Sequence, residues 1–323
     1  MPRFIRNTVI LVKLEATPGV DPVPVGATDA MMVSNLSINP LNAQNVARGL
    51  VRGFMGGDEH LVGNHFVECG FDIELVGSGT AGTAPAWAPA LKACGFAETL
   101  TATIRADYTP VSGTFSSVTI YWYDDGLLHK LSYGRGDVQF KMSANGKPVM
   151  AFKFKGLYST PTAAANATPT LTAFKTPQVV NVANSQMLTF GATHTAAIAP
   201  ALTGGTTYPS LGMDVMANNK VEYVPLLGGE TVEITDRDMS CSFQADLTAA
   251  QEVTFMQAVE AGTLTSIGLI HGTVVGAKSM IFLPTVQRIN PTKQDLQGKR
   301  TVQFEGRVVP VAGNDEFRLV TSF

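Results

Sequence analysis

The stretch from Gly56 to Leu75, GGDEHLVGNHFVECGFDIEL, is repeated 172 positions later from Gly228 to Leu247 as GGETVEITDRDMSCSFQADL. Both copies open with two glycines and an acidic residue, and both then alternate apolar and polar residues. The apolar positions are Val67, Cys69, Phe71, Ile73 and Leu75 in the first copy, and Met239, Cys241, Phe243, Ala245 and Leu247 in the second. Because successive side chains of a strand point to opposite faces, each copy predicts a strand with one buried and one wet face. The shared register of Cys, Phe and Leu indicates a duplicated domain.

Each repeated strand is followed by a short helix and a hairpin. The helix candidates are residues 85–95 and 248–262, and the second has Thr248 or Asp246 as its N-cap, Gly262 at its end, and Val253, Phe255, Met256 and Val259 near one face. The first hairpin, residues 137–156, turns at Asn145-Gly146, a strong hairpin signal. The second covers residues 285–306. Their ends, Lys153 to Gly156 (KFKG) and Gln303 to Gly306 (QFEG), are written alike.

Composition places the chain among globular β proteins with large interfaces. Its 323 residues are enough for two domains that each bury a core, and only 15% of them are charged. Scarce charge predicts that much of the surface meets other protein. The net charge of -3 argues against a grip on nucleic acid, which needs a concentrated basic face.

The cysteines and histidines predict neither a disulfide framework nor a metal site. Cys69, Cys94 and Cys241 form no paired motif, and two of them lie on the apolar face of the repeated strand, so we expect buried free thiols. His60 and His65 could be imagined as metal ligands, but the repeat does not carry them. We identify no secretory signal and no apolar run long enough to span a bilayer, so we expect synthesis and assembly in a cytoplasm.

The segments outside the repeats are interpreted as connectors. Residues 1–25 predict an extended arm that docks on its own domain or on a neighbour, because four Pro and Gly residues follow a short apolar start. Residues 39–55 form a long excursion with Arg48 and Arg52, which favours an interface. Residues 159–177, rich in Ala, Thr and Pro, predict a linker between a first domain (1–158) and a second (178–323). The alternating end from Phe317 to Phe323 predicts an edge strand or a docking tail.

One motif points to a different class of protein. Gly77 to Gly82 (GSGTAG) matches G-x-G-x-x-G, in which backbone N–H groups approach a dinucleotide pyrophosphate. The preceding strand alternates instead of being apolar throughout, and Pro85 and Pro89 interrupt the helix that should follow, so a flexible loop is the favoured interpretation. A nucleotide-binding enzyme stays the alternative. No catalytic, cofactor-binding or metal-binding residues are assigned.

Four stretches together resemble the tail tube (major tail) proteins of long-tailed bacteriophages: NTVILVKLEATPGVDPVP, SNLSINPLNAQNV, RGFMGGDEHLVG and VECGFDIELVGSG. The resemblance implies a mainly β fold of two tandem tail-tube-like β-sandwich or barrel domains, each with a short flanking helix. It implies a structural virion protein whose rings stack into a hollow tube that encloses the tape-measure protein and conducts the DNA genome. A different β-rich virion protein, a decoration protein or an adhesin, is a further alternative.

Two tube domains in one chain imply a homotrimeric ring with pseudo-sixfold symmetry, with a homohexamer as the alternative. The implied partners are other copies of the chain, the tape-measure protein, tail terminator and distal tail proteins, and DNA that passes without specific binding; no membrane is implied. We expect Arg48 and Arg52 to join one ring to the next. The wet faces of the repeated strands predict a carboxylate lining of the lumen, which would repel phosphates. Those carboxylates are Glu68, Asp72, Glu74, Asp238 and Asp246. The alternative is that these faces are the solvated side of an ordinary sheet.

Overall fold

A computed structural model describes residues 3–195 and 200–323. The first half of the chain contains β1 (Thr8–Leu14), β2 (Ala30–Met31), β3 (Ser34–Ala47), β4 (His60–Glu74), α1 (Ala88–Lys92), β5 (Phe96–Thr101), β6 (Arg105–Pro110), β7 (Val118–Asp124), β8 (Leu127–Ser143) and β9 (Val149–Ala163). The second half contains β10 (Leu188–Phe190), β11 (Thr193–Thr195), β12 (Ala201–Thr203), β13 (Thr206–Tyr208), β14 (Ser210–Met216), β15 (Asn219–Leu226), β16 (Gly229–Arg237), β17 (Ser240–Ala245), α2 (Ala249–Glu260), β18 (Leu264–His271), β19 (Ser279–Leu296), β20 (Lys299–Val308) and β21 (Arg318–Thr321). The fold is mainly β, as predicted.

The repeated strands are β4 and β17, and each lies against the return strand of its own hairpin. Phe71 lies opposite Phe152 in β9, and Phe243 lies opposite Phe304 in β20. The ring centroids are 5.9 and 5.5 Å apart, and all four rings are buried. The predicted burial of the apolar face is therefore confirmed, except that Leu247 is only partly buried.

The register corrects the match between the two hairpin ends. Cys69 lies opposite Phe154, whereas Cys241 lies opposite Gly306, so the residue that corresponds to Gly306 is Phe154 and not Gly156. The alignment of KFKG with QFEG is therefore wrong by two residues. A shift of two leaves every side chain on the same face, so the alternation of apolar residues does not reveal it.

An antiparallel sheet of eight strands, in the order β3–β4–β9–β8–β14–β17–β20–β19, runs through both halves of the chain. Its first four strands and its last four repeat the same order of pairing. The C-terminal half of each of the long strands β8 and β19, called its outer half below, is part of this eight-strand sheet. Their first halves belong to a second layer.

The second layer packs on one face of the eight-strand sheet. In the first half of the chain, β2, β1, β7 and the start of β8 pair in that order. In the second half, β13, β10, β18 and the start of β19 do the same. One large hydrophobic cluster draws buried side chains from both halves, including Trp87, Phe140, Phe304 and Phe317. Burying this apolar surface is what stabilises the two layers against each other.

The two helices lie on the core side, where the sequence predicts them. Thr248 and Gln251 form a capping box at the start of α2, which satisfies backbone N–H groups of the first turn. Phe255 is buried against Phe304, at 5.4 Å between ring centroids, but Val253 is exposed and does not share this face. Pro89 is the second residue of α1 and Pro85 lies three residues before its start, which accompanies the short length of this helix.

The segments interpreted as connectors are built into the body. The start of the chain docks on its own domain, because β1 pairs along the whole length of β7 and its central residues are buried. The C-terminal strand β21 is not at an edge: it lies between β19 and β6 and links the two halves. Strand β9 continues to Ala163, inside the predicted linker. Residues 39–47 of the predicted excursion are part of β3.

A seam of five antiparallel residue pairs joins β14 to β8 and makes the eight-strand sheet continuous. At the end of this seam, Gly212 has φ of +100°, a backbone conformation that residues with a side chain rarely adopt. A Cβ at this position would lie 1.8 Å from the carbonyl oxygen of Met142. The close approach of the two strands therefore depends on glycine at this position.

We expect Gly212→Ala to lower the free energy of unfolding by more than about 1 kcal/mol, because it adds both steric overlap and backbone strain at the seam. Urea denaturation would measure the change. Gly113→Ala is the control, since a Cβ there meets no atom within 4 Å and the backbone is not in the left-handed region. Equal stability of the two variants would contradict this account of the seam.

Candidate assembly surface

The face of the eight-strand sheet that points away from the core carries the five carboxylates predicted to line a lumen. Glu68, Asp72 and Glu74 alternate with the buried residues of β4. Asp238 lies just before β17 and Asp246 just after it, and both continue the alternation of that strand. Each of them has a partner in the same chain. Glu68 lies 3.9 Å from Lys155, Glu74 lies 3.1 Å from Lys147, and Asp238 lies 3.0 Å from Arg307. Asp72 accepts a hydrogen bond of 2.7 Å from Asn35, and Asp246 pairs with Lys299. The face therefore carries paired charges and is not a purely acidic wall.

Two further carboxylates of this face, Asp137 in β8 and Asp214 in β14, were missed by sequence reasoning. Burial raises the pKa of Asp137, and backbone N–H donors and Lys153 offset only part of that effect. Burial likewise raises the pKa of Asp214, against the N–H of Met142 and the charge of Lys141. Their polar positions can be read from the alternation of the two strands. Their burial cannot, because it arises where the two halves of the chain meet.

Two hairpin arms extend the sheet beyond its body, one from each repeated unit. The second arm, β15 and β16, forms a separate two-stranded sheet and packs on β8 and β9 of the first unit. Buried Arg135 of β8 donates to the carbonyl oxygens of Val232 (2.9 Å) and Phe115 (3.1 Å) and pairs with Glu233. The arm is thus held by a guanidinium whose hydrogen bonds reach both halves of the chain.

Asn219, at the base of the second arm, closes this contact. Its side-chain amide donates to the carbonyl oxygens of Cys94 (2.7 Å) and Gly136 (3.0 Å). Its backbone N–H donates to Asp137 at 2.9 Å. Buried carbonyl groups need such donors, so the second arm completes the hydrogen bonding of the first unit.

The first arm, formed by the ends of β3 and β4 and the loop between them, is less covered. Near its base, the ring of His65 contacts that of Tyr158 in β9, at 4.8 Å between centroids. Strand β4 pairs with β9 from Phe66 to Glu74. Residues 60–65, which precede Phe66, pair only with β3 among the described residues. These six residues form a segment about 20 Å long. Exposed apolar side chains occur on both strands of the arm and in its loop, residues 48–59: Leu41, Val46, Leu50, Val51, Phe54, Met55, Leu61 and Val62. A two-stranded ribbon of this kind is marginally stable by itself, so its apolar surface calls for a partner.

Arg48 and Arg52, predicted to join rings, lie in the loop of the first arm. Arg48 pairs with Glu59, and Arg52 pairs with Asp58 at 2.7 Å. Asp58 also accepts a hydrogen bond of 2.7 Å from the N–H of Leu50. Both arginines therefore brace their own loop.

The glycine-rich loop from Gly77 to Gly82 is bound to the second half of the chain. The N–H groups of Gly77, Gly79 and Gly82 donate to the carbonyl oxygens of residues 277, 276 and 322, at 3.3, 2.9 and 2.9 Å. A Cβ on Gly77 would lie 2.3 Å from the Gly276 oxygen. These glycines allow two chain segments to approach closely, and their N–H groups are not directed at an open site.

The three cysteines are buried and unpaired, as predicted. Burial raises the pKa of Cys69 and Cys241 to about 12 and that of Cys94 well above its ordinary value, which makes the thiols slow to react. Within residues 3–195 and 200–323, no cluster of three His, Cys, Asp or Glu side chains could hold a metal ion. No helix in these ranges is long and apolar enough to cross a bilayer.

Comparison with models of known protein families shows which family the chain belongs to. A family model described as phage tail tube protein matches residues 5–314. The chain belongs to the phage tail tube protein family. No curated protein matched the chain. As a member of this family it has a structural role in the virion tail, where it assembles with itself into a tube.

In this tail tube family member, the raised pKa of Asp214 predicts a pH-dependent stability. The folded-state pKa lies above the unfolded value, so the folded state binds more protons and stability falls as pH rises from about 3.8 through the folded pKa. We expect Asp214→Asn to remove this dependence, so that the variant gains on the wild type as pH rises and the gain is complete above the folded pKa. Urea denaturation between pH 3 and pH 8 would measure it. A variant with the same pH profile as the wild type would contradict the burial of this carboxylate.

Proposed function

We propose that two open sheet edges of this chain pair head to tail with neighbouring copies and close a homotrimeric ring. In the described residues β3 pairs only with β4, and β19 beyond Gln287 pairs only with β20. In the internal seam, the counterparts of these two edges, β14 and the outer half of β8, are already paired with each other. This unequal use of equivalent edges is the observation that carries the proposal.

The internal repeat defines the register of the proposed contact. Val215 lies opposite Cys241 and Ile38 lies opposite Cys69, so Ile38 holds the position of Val215. On the other edge, Phe140 lies opposite Met150 and Lys293 lies opposite Val302. Met150 and Val302 in turn lie opposite Ile73 and Ala245, which correspond in the repeat.

In the seam, Val215 is paired with Phe140, so Ile38 of one copy would pair with Lys293 of the next. The five pairs of the seam then correspond to residues 35–39 and 292–296. The next position on each strand is a proline, Pro40 and Pro291. Proline has no N–H to donate, so the proposed ladder ends on both strands at the same step.

A head-to-tail contact of this kind generates a ring when the rotation closes. Three chains of two tandem tail-tube-like domains would contribute six similar units, and a ring of six chains is the alternative. The arm geometry supports the same contact, because the second arm covers β8 and β9 inside the chain. The first arm of a neighbour would cover the outer half of β19 and β20 in the same way.

We infer that the face without helices lines the lumen, because the bulky second layer occupies the other face of the sheet. Glu68, Asp72, Glu74, Asp238 and Asp246 would then lie on the channel wall and hold the neighbouring cations in ion pairs, so that few free cations remain for DNA phosphates. In this role the tube encloses the tape-measure protein, joins terminator and distal tail proteins at its ends, and conducts the genome without specific binding. Assembly takes place in the host cytoplasm, and no catalysis is assigned.

Disulfide trapping tests the ring contact. Paired residues of an antiparallel ladder lie within reach of a disulfide, so Ile38→Cys with Lys293→Cys in one chain should cross-link between copies on oxidation. Both cysteine pairs are placed in a Cys69→Ala background, because Cys69 lies directly opposite Ile38 in the same chain and would compete for it. The remaining native thiols, Cys94 and Cys241, are buried and should stay silent. We expect circular covalent trimers on a denaturing gel, checked by mass. Ile38→Cys with Lys299→Cys is the off-register control. Products of six chains would select the hexamer, and cross-linking only in the control would overturn the register.

Charge reversal tests the channel wall. We expect Glu68→Lys to leave tube length unchanged and to slow DNA ejection, because it places an unpaired cation next to Lys155 on the wall. Glu260→Lys, an equal charge change on the exposed end of α2, is the control and should eject DNA at the wild-type rate. Ejection kinetics can be followed with a DNA-binding dye. Equal rates for the two variants would place this face outside the lumen.

A further inference from the structure

The loop of the first arm, residues 48–59, presents an apolar tip. Val51 and Met55 are fully exposed and Phe54 is 71% exposed. The second arm instead turns in two residues, Leu227 and Gly228. The extension is therefore a property of one unit only, and it is additional to the part of the arm that would cover a neighbour in the ring.

The charges of this loop are balanced within it. Arg48 and Arg52 pair with Glu59 and Asp58, and the guanidinium of Arg52 also lies 5.9 Å from the ring centroid of Phe54. The loop is thus held in shape while its apolar side chains point to solvent. A neutral apolar tip fits an uncharged apolar surface, because a charged one would lose its hydration without gaining a partner.

Such a surface exists at the opposite end of the molecule. Two loops, residues 178–187 and 272–277, contain no charged residue. The side chain of Gln178 accepts the N–H of Thr273 at 2.7 Å and joins the loops. They expose Val179, Val182, Val274 and Val275, which we call the valine patch.

The tip and the valine patch lie at opposite ends of the same sheet. Strand β4 runs from the arm to the Asn145 turn, where the N–H of Leu75 donates to the Pro148 oxygen at 2.9 Å. At that turn, Val180 exchanges backbone hydrogen bonds with Asn145 and Gly146, at 2.7 and 2.9 Å. The β8–β9 hairpin that carries the turn is next to β4, so tip and patch differ sideways by only about 10–15 Å.

We propose that the tip of a chain in one ring docks on the valine patch of a chain in the next ring. The proposal rests on the proposed ring, in which all arms point to one side and all valine patches to the other. A stack of such rings brings these two apolar surfaces together at every junction, and a second copy of this chain is therefore the occupant. Arg48 and Arg52 support the contact from within the loop and do not cross the junction themselves.

Paired variants test this contact. We expect Val51→Asp with Met55→Asp to give rings that do not stack, and Val182→Asp to give the same result from the other side, because each buries unpaired charge in an apolar junction. Val311→Asp, at another exposed loop, is the control and should form tubes. Negative-stain electron microscopy and sedimentation distinguish rings from tubes. The Ile38–Lys293 disulfide, introduced into each variant, reports whether rings still form.

Mixing two singly substituted proteins identifies the contact directly. Val51→Cys and Val182→Cys chains, mixed and oxidised, should give a hetero-dimer that neither forms alone. Rings that stack normally in both aspartate variants would overturn the proposal, as would a stacking defect in the tip variant with normal tubes from Val182→Asp. Absence of the ring disulfide from the chain that carries Ile38→Cys and Lys293→Cys without any aspartate substitution would instead contradict the proposed ring, so the two failures are distinguishable.

Discussion

The backbone ladder between β8 and β14 is the constraint on which the rest of the structure depends. It joins two similar groups of four strands into one sheet and draws their side chains into one hydrophobic cluster. The approach is close enough that Gly212 cannot be replaced without moving a carbonyl group. A sheet built in this way has a paired edge at its centre and, within the part of the chain that the structure describes, equivalent unpaired edges at its ends. Unpaired edges are sites of association, which suits a protein that polymerises.

Polar groups reinforce the same junction. Arg135 and Asn219 are both buried. Arg135 donates to the carbonyl oxygen of Val232 in the other half of the chain, and Asn219 donates to that of Cys94 in the other half. Each of these contacts is needed because an unsatisfied buried carbonyl group destabilises the fold. The raised pKa of Asp137 and Asp214 arises at this junction too, since both carboxylates lose water there. In the proposed ring, a neighbour's first arm would make the contact that the second arm makes inside one chain.

Exposed apolar side chains include those at the tip of the first arm and in the valine patch. Both are kept free of net charge, by ion pairs in the first case and by composition in the second. Surfaces of this kind associate weakly one at a time, and their contribution grows with the number of copies that engage together. Repetition around a ring would make such small contacts sufficient to hold a long tube.

Local features were readable from the residues alone. The alternation in β4 and β17, the cap of α2 at Thr248 and the Asn145-Gly146 turn each depend on neighbours in sequence, and each is present. The two-residue offset between the hairpins was not predicted from the sequence, because a pattern with a period of two is unchanged by a shift of two residues. The placement of β1, β21 and Asn219 also escaped, because their partners lie about 100 residues or more away. Sequence periodicity determined which face of each strand is buried, whereas tertiary structure alone decided which edges are paired, since backbone hydrogen bonding is the same for every residue except proline.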